Sequence, residues 1–219
     1  VLRLAYSSYV TPTRIYDYTV ATGELRLLKE QEVLGGYNPD DYVASRVWVT
    51  ASDGVDIPVS LVHRRDVDLS HPNPTILYGY GSYEISLDPG FSVASLSLMD
   101  RGMIFAFAHV RGGGELGRHW YDNGKMLHKR NTFTDFVAAA EYLHDSGWVA
   151  RDRLAIEGGS AGGGSRSGHT SASQASRMRW RTTCLVRTLR CRLTKYRSGL
   201  DIICSNPEST MRRRRWHLC

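Results

Sequence analysis

The stretch that decides the fold reads Leu154-Ala155-Ile156-Glu157-Gly158-Gly159-Ser160-Ala161-Gly162. Its first four residues are a short, mostly apolar run, which is typical of a buried strand. Its last five match G-x-S-x-G, in which small residues flank a serine on a sharp turn between a strand and a helix. Such a turn exposes the serine hydroxyl at the carboxyl edge of a sheet, while the next backbone N–H faces a developing oxyanion. The stretch therefore predicts a nucleophilic Ser160 with the N–H of Ala161 beside it.

The region before this stretch has the hydrophobic pattern of an α/β sheet. Apolar runs at 76–80 and 103–110 predict parallel strands that are buried on both faces. A helix is predicted at 91–100, and a second one after Thr132 or Thr134 as the N-cap, where apolar residues recur at helical spacing. The order β, α, β, loop, α, β indicates an α/β fold.

The N-terminal part predicts antiparallel strands instead. Runs rich in Tyr, Val and Leu at 3–10, 14–20 and 24–30 are separated by turn residues, as in a meander. A longer hairpin over 42–65 has Asp53-Gly54 at its tip, a dipeptide suited to the positive φ values of a tight turn. A small antiparallel sheet should therefore precede the α/β region.

Charge and composition divide the chain into two unlike segments. Residues 1–163 carry 15 Lys and Arg against 20 Asp and Glu, a net charge of −5, whereas residues 164–219 carry 13 against 2, a net charge of +11. All four cysteines lie in the second segment and all five phenylalanines in the first. The second segment lacks the period of a helix or strand and is predicted to be disordered. Because it has no C-x-x-C pair, we expect free thiols and no metal site.

A rival motif would make the protein a dinucleotide binder. Gly112, Gly114 and Gly117 satisfy G-x-G-x-x-G after a strand, and Asp135 follows at about the distance of a ribose-binding acid. The glycines should then open a helix that packs on the sheet, but residues 118–125 have no apolar periodicity. The chain also lacks a GK[ST] loop and an H-E-x-x-H pair, which argues against a P-loop and a zincin. We therefore predict no cofactor.

Four sequence blocks carry a family resemblance. They are Leu77-Tyr78-Gly79-Tyr80-Gly81-Ser82-Tyr83, His109-Val110-Arg111-Gly112-Gly113-Gly114-Glu115-Leu116-Gly117, Asn131-Thr132-Phe133-Thr134-Asp135-Phe136 and Gly158-Gly159-Ser160-Ala161-Gly162-Gly163. In order and spacing they resemble the prolyl oligopeptidase family of serine peptidases. The resemblance covers residues 1–163 and does not extend into the basic segment.

The resemblance implies an α/β-hydrolase domain fused to a β-propeller. Residues 1–35 would be the last propeller strands, and residues 36–163 the N-terminal part of the peptidase domain. The implied activity is hydrolysis of short peptides, after Arg or Lys, in the cytoplasm. No apolar run approaches the roughly 18 residues that span a bilayer, so no membrane partner is expected. The first residue is Val1 rather than Met, which suggests a fragment.

The resemblance also implies roles for individual residues. Ser160 would be the nucleophile, and the oxyanion would be received by the Tyr80 hydroxyl and the Ala161 N–H. Tyr83 would stand beside the pocket for the residue before the scissile bond. Taken without the resemblance, Tyr80 is better interpreted as a strand aromatic packed in the core, and the resemblance reverses that preference. The loop 111–117 lies at the functional edge of the sheet, and its role is left open.

The rest of a catalytic triad is not evident. A serine hydrolase of this type needs an acid and then a histidine after the nucleophile. Asp201 and His217 have the right order, but only 16 residues separate them, and each further βα unit takes roughly 30 residues. We therefore expect little or no peptidase activity from this chain.

Two explanations account for the basic segment, 164–219. It is either a true tail that contacts nucleic acid through phosphates, or the product of a change of reading frame near Gly163. We favour the second, because the family match stops abruptly within the nucleophile motif. Only non-specific binding to nucleic acid is then expected.

Overall fold

A small antiparallel sheet opens the chain in the computed structural model, which describes residues 1–162, 190–196 and 199–205. Its strands are β1 (Leu2–Ser8), β2 (Thr11–Thr19) and β3 (Glu24–Glu30), and β2 lies between the other two. The meander predicted from sequence is thus confirmed. Several apolar side chains of this sheet are exposed, namely Leu2, Leu4, Tyr6, Leu25, Leu27 and Leu28.

The turn between β1 and β2 connects this small sheet to the α/β part of the chain. The ring of Tyr9 stacks on Phe107 with 4.7 Å between the ring centroids. The Ser7 hydroxyl accepts a hydrogen bond from the backbone N–H of Phe91 at 3.4 Å. The Tyr37 hydroxyl also donates to the carbonyl of Val10 in this turn. The small sheet is therefore anchored through aromatic packing and polar contacts.

The main sheet has five strands in the order β4-β5-β7-β6-β8. Their bounds are Tyr42–Thr50 for β4, Asp56–Arg64 for β5, Asn73–Gly79 for β6, Ile104–Ala108 for β7 and Val149–Glu157 for β8. The pairs β4–β5 and β5–β7 are antiparallel, whereas β6 runs parallel to both β7 and β8. The predicted hairpin and the predicted parallel strands are both confirmed, and the carboxyl ends of β6, β7 and β8 share one edge.

Three helices connect these strands: α1 (Val93–Met99), α2 (Arg118–Asp122) and α3 (Lys129–Asp145). The prediction that Thr132 or Thr134 caps the last helix is wrong, because α3 begins one turn earlier with His128 at its N-cap position. The Thr132 hydroxyl is used elsewhere: it donates to the carbonyl of Arg111 at 2.5 Å and lies 3.2 Å from that of Gly124. Tertiary contacts thus outweigh the local capping preference. Among the described residues, no helix is long and apolar enough to cross a bilayer.

Helix α3 packs one face on the main sheet. This face contributes Phe136, Ala139, Ala140 and Leu143, all fully or almost fully buried. The sheet contributes Leu77, Ala106 and Ile156, among others, to the same cluster. Each large side chain of this kind stabilises the fold by roughly 1.5–3 kcal/mol when it leaves water.

A buried ion cluster joins the end of β7 to α3 and to the β4–β5 hairpin. The Arg111 guanidinium donates to both carboxylate oxygens of Asp135, with Nη2–Oδ1 at 2.5 Å, and its Nη1 lies 2.7 Å from Oδ2 of Asp53. The backbone N–H of Arg111 also donates to Asp135, at 3.0 Å. Asp135 is completely buried, whereas the Asp53 side chain is 44% exposed. Arg111 thus holds three segments together through charge.

The chain divides into two units, residues 1–181 and 182–219, and the second unit contains a hairpin within the basic segment. Strands β9 (Arg190–Tyr196) and β10 (Gly199–Ser205) pair antiparallel, with Tyr196 opposite Gly199. The prediction of disorder is therefore wrong for these two ranges. Ile202-Ile203 and the glycine at the turn favour a hairpin locally, although the whole segment has the composition of a disordered chain. The other residues of 164–219 lie outside the described part of the chain.

Candidate active site

Ser160 lies on a sharp turn at the carboxyl end of β8. The strand ends at Glu157, and residues 160–162 form a single 3₁₀ turn after two glycines. Ser160 has a φ of 49°, a left-handed conformation that costs a non-glycine residue about 1–2 kcal/mol. This is the strained, exposed serine turn that the G-x-S-x-G pattern predicts.

Close backbone packing holds this turn against β6 and explains its small residues. A methyl group built on Gly158 would lie 2.4 Å from the carbonyl oxygen of Gly162, and one built on Gly162 would lie 2.8 Å from that of Gly79. Contacts this short leave no room for a side chain at either glycine. The glycines around Ser160 therefore serve a steric need at the point where the turn meets the end of β6.

Tyr80 directly follows β6 and lies beside the serine turn. The methyl position on Gly162 is 3.0 Å from the ring carbon Cδ2 of Tyr80, so the ring lines the turn. Because β6 and β8 are parallel neighbours, Tyr80 and Ser160 come from the same edge of the sheet. The structure thus places at one sheet edge the two residues that the sequence analysis assigned to the nucleophile and the oxyanion, with Ala161 in the serine turn itself.

Tyr83 lies on the loop that follows Tyr80. Its φ is 58° and that of Glu84 is 59°, so two consecutive non-glycine residues adopt the left-handed conformation. The Tyr83 side chain is 71% exposed, and the Glu84 carboxylate pairs with Arg118 at 2.7 Å. Strain of this kind persists only where the surroundings fix the backbone, and it is frequent at binding sites.

The glycine-rich loop 111–117 packs against the segment that carries Tyr80 and Tyr83. A methyl group on Gly112 would lie 2.2 Å from the carbonyl oxygen of Gly81, and one on Gly114 would lie 2.5 Å from that of Glu84. The Glu115 carboxylate accepts a hydrogen bond from the backbone N–H of Leu87 at 2.9 Å. The loop is therefore a close-packed support for residues 81–87, a role that the sequence analysis left open.

The dinucleotide alternative does not fit this geometry. The helix after the glycines, α2, has only five residues. Asp135, the candidate ribose ligand, is fully buried and its carboxylate is bound by Arg111. Its negative charge holds the fold together and is not available to a nucleotide.

A buried polar row next to the site was missed by the sequence analysis. The Ser60 hydroxyl lies 2.8 Å from Nε2 of His109, and Nδ1 of His109 lies 3.6 Å from the Glu115 carboxylate. The order serine, histidine, acid resembles a catalytic triad, but Ser60 and His109 are both buried within the sheet. Only Glu115, from the glycine-rich loop, could have indicated this row, which has no access to a substrate.

The structure assigns no triad acid or histidine to Ser160 within residues 1–162. Asp201 lies in β10 of the second unit, and His169 and His217 lie outside the described residues. Within the described ranges, no hydrogen bond joins Ser160 to a histidine. The described ranges also contain no group of three or more side chains arranged to hold a metal ion.

A strand–serine–turn unit at the end of a parallel strand, with a tyrosine from the neighbouring strand, is the arrangement of a serine hydrolase built on an α/β sheet. Residues 89–176 match the prolyl oligopeptidase family, and the matched part of this chain belongs to that family of serine peptidases. The resemblance seen in the four sequence blocks is thereby confirmed.

Curated relatives and solved structures agree with this assignment. The chain is 51% identical over 163 residues to dipeptidyl aminopeptidase BI of Pseudoxanthomonas mexicana, which covers 74% of this chain and 22% of the relative. The four sequence blocks also resemble oligopeptidase B, and two solved structures of that enzyme are similar to this chain. The Leishmania major enzyme has a TM-score of 0.71 and 48% identity, covering 75% of this chain and 23% of that one. The Trypanosoma brucei enzyme, solved in a closed form with covalently bound antipain, has a TM-score of 0.70 and 53% identity over 74% of this chain and 23% of that one.

The chain thus spans less than a quarter of the length of these relatives. The similarity covers about three quarters of this chain, and the family match at 89–176 includes Ser160. The comparisons give no support to the alternative of a nucleic-acid-binding protein.

Proposed function

We propose that this chain carries the nucleophile and oxyanion half of a serine peptidase that cleaves short peptides after Arg or Lys in the cytoplasm. Ser160 would attack the scissile carbonyl, and the Tyr80 hydroxyl and Ala161 N–H would receive the oxyanion. Tyr83 would line the pocket for the residue before the scissile bond. Residues 1–35 would be the last propeller strands, and 36–163 the start of the peptidase domain.

One observation carries this proposal: Ser160, with a φ of 49° after the end of β8, lies on a turn whose Gly162 packs against Tyr80, at the end of the parallel strand β6. A strained serine next to a hydroxyl donor is what acyl transfer requires, since charge develops on the carbonyl oxygen during attack. The covalent antipain complex of the Trypanosoma brucei relative supports a serine-type attack on a peptide-like ligand.

A peptide boronic acid with an arginine side chain next to boron tests the nucleophile. Boron accepts the serine oxygen and becomes tetrahedral, so we expect an adduct with the full chain that ¹¹B NMR detects. Ser160→Ala should abolish it, because no oxygen remains to form the bond. An adduct of equal strength in the Ser160→Ala variant would contradict the assignment. A tighter adduct with an alanine boronate than with the arginine one would contradict the preference for basic residues.

Tyr80→Phe tests the oxyanion donor. Removal of one such donor costs roughly 10²–10³-fold in related acyl-transfer sites, so adduct formation should weaken strongly while the fold is retained. Tyr78→Phe is the matched control, since Tyr78 is a half-buried tyrosine of β6, two residues before Tyr80. Equal affinity for the boronate in the Tyr80→Phe and parent proteins would contradict the role of Tyr80.

Peptide turnover by this chain should be very slow. Loss of triad partners costs about 10⁴–10⁶-fold in turnover in well-characterised serine proteases. Hydrolysis of an Arg-terminated chromogenic peptide, compared with the Ser160→Ala protein, measures it. Rapid turnover that depends on Ser160 would show that a base is present, and His169 and His217 would then be the candidates.

A further inference from the structure

Lys129, the first residue of α3, is bound to the turn that follows Tyr80. Its ammonium donates to the carbonyl oxygen of Gly81 at 2.5 Å and to the hydroxyl of Ser82 at 2.6 Å. These acceptors belong to the two residues next to Tyr80 in sequence. One flexible side chain thus connects the start of α3 with both of them.

The charge of Lys129 has no counter-ion within the described part of the chain. None of the described ion pairs includes Lys129, and its two hydrogen-bond acceptors are neutral. Burial alone lowers the pKa of the Lys129 ammonium, and no neighbouring charge contributes to that shift. The Lys129 ammonium also lies over the ring of Phe133, 5.9 Å from the ring centroid, but the ring carries no negative charge. A half-buried cation without a counter-ion is costly, and such residues are frequent at functional sites.

The position of Lys129 at the start of a helix adds to this cost. The positive end of the helix dipole lies there, so a cation is less favourable than an acidic residue. The first turn of α3 has no acidic residue, and no side chain caps it. Local stability therefore does not account for an ammonium at this position.

The turn that Lys129 binds is otherwise packed from all sides. Gly81 has a φ of 63°, and a methyl group on it would lie 2.5 Å from the Thr132 side chain and 2.6 Å from that of Val110. The backbone N–H of Glu84 donates to the carbonyl of Gly112 at 3.2 Å. Steric packing thus fixes the path of the backbone, and Lys129 supplies the charge.

We propose that Lys129 is a positioning residue of the oxyanion site. Its ammonium holds the turn after Tyr80 and adds an uncompensated positive charge next to the residue that receives the oxyanion. This inference rests on the proposed function, because it assigns to the oxyanion site a positive charge that favours the tetrahedral, negatively charged adduct on Ser160.

Three variants of the full chain separate charge from structure. Lys129→Gln keeps a hydrogen-bond donor and removes the charge, whereas Lys129→Arg keeps the charge. Arg130→Gln is the matched control, because Arg130 is the exposed cation next to Lys129 on the same helix. Affinity for the arginine boronate should fall about tenfold in Lys129→Gln, stay near the parent value in Lys129→Arg and remain unchanged in Arg130→Gln.

A purely structural role predicts a different pattern. Lys129→Gln would then lower the urea midpoint of unfolding and leave the boronate affinity of the folded protein unchanged. Failure of Lys129→Arg to retain affinity, or an equal loss in Arg130→Gln, would also overturn the proposal.

A second measurement does not depend on reactivity at Ser160. With 4-fluorophenylalanine in place of Tyr80, the ¹⁹F resonance should shift as Lys129 loses its proton, at a pH below that of an ordinary lysine, because burial lowers the pKa of Lys129. The step should be absent with Lys129→Gln and Lys129→Arg, while steps from Tyr78 and other tyrosines remain in all three proteins.

The two measurements distinguish the proposals. A parent chain that forms no boronate adduct but shows the ¹⁹F step would contradict the proposed function of this chain and support the link between Lys129 and position 80. If the ¹⁹F resonance shows no Lys129-dependent step, the link between Lys129 and position 80 is contradicted, whether or not the boronate adduct forms.

Discussion

Asp135→Ala should cost about 3–5 kcal/mol of the free energy of unfolding, because it leaves the buried Arg111 guanidinium without its main partner. Asp135 is fully buried and accepts hydrogen bonds from both the side chain and the backbone of Arg111. The loss leaves a desolvated charge uncompensated between the end of β7 and α3. Urea unfolding followed by circular dichroism measures the effect.

Asp53→Ala is the matched control for this prediction. Asp53 binds the same guanidinium at 2.7 Å, but its side chain is 44% exposed. When the carboxylate is removed, water can therefore replace much of its hydrogen bonding to Arg111. Exposed ion pairs contribute roughly 0–1 kcal/mol, and the control should lose no more than that. Equal losses for the two variants would show that burial of Asp135 does not set the size of the effect.

Gly112→Ala should be the second severe change. The new methyl group would lie 2.2 Å from the carbonyl oxygen of Gly81 and 2.9 Å from that of Gly124, and the residue has a φ of 100°. Backbone atoms cannot yield as a side chain does, so overpacking of roughly 1–3 kcal/mol adds to a conformational cost of roughly 1–2 kcal/mol. Because Gly81 follows Tyr80, the boronate adduct of the folded fraction should weaken as well.

Gly117→Ala separates the two contributions. Gly117 lies in the same loop with a φ of 83°, but nothing lies within 4 Å of its methyl position. It should therefore show the conformational cost alone and leave the boronate adduct unchanged. If Gly112→Ala were no more destabilising than Gly117→Ala, the close approach of the loop to Gly81 would not be a constraint on the fold.

The strands could be predicted from sequence because their signals are local. The runs that became β3 and β5 are bounded by turn residues, and Gly54, with a φ of 82°, has the conformation that the predicted tight turn requires. The parallel order followed from continuous apolar runs, since strands covered on both faces lose the alternation of exposed sheets. The signal of the serine turn is local as well, because the small residues that the turn requires all lie within five positions of the sequence.

Contacts between distant segments could not be predicted in this way. Thr132 has the pattern of an N-cap, but its hydroxyl binds the carbonyl of Arg111, 21 residues earlier. Glycines 112 and 114 were open to a nucleotide-binding interpretation until their packing against residues 81 and 84 was known. Nothing near Lys129 in the sequence indicates that its ammonium reaches Gly81. Each of these roles depends on a partner that only the folded chain brings close.

The strand order determines when, during synthesis, the turn that carries Ser160 can form. Strand β6 pairs with β7 on one side and with β8 on the other, and β8 comes last in sequence among the described strands of this sheet. During synthesis β6 leaves the ribosome more than 70 residues before β8. Until β8 follows, the backbone hydrogen-bonding groups on the β8 side of β6 remain unpaired. When β8 pairs with β6, the same step brings the turn that carries Ser160 to the end of β6, beside Tyr80. A nascent chain thus forms the turn that carries Ser160 only after β8 has been synthesised and has paired with β6.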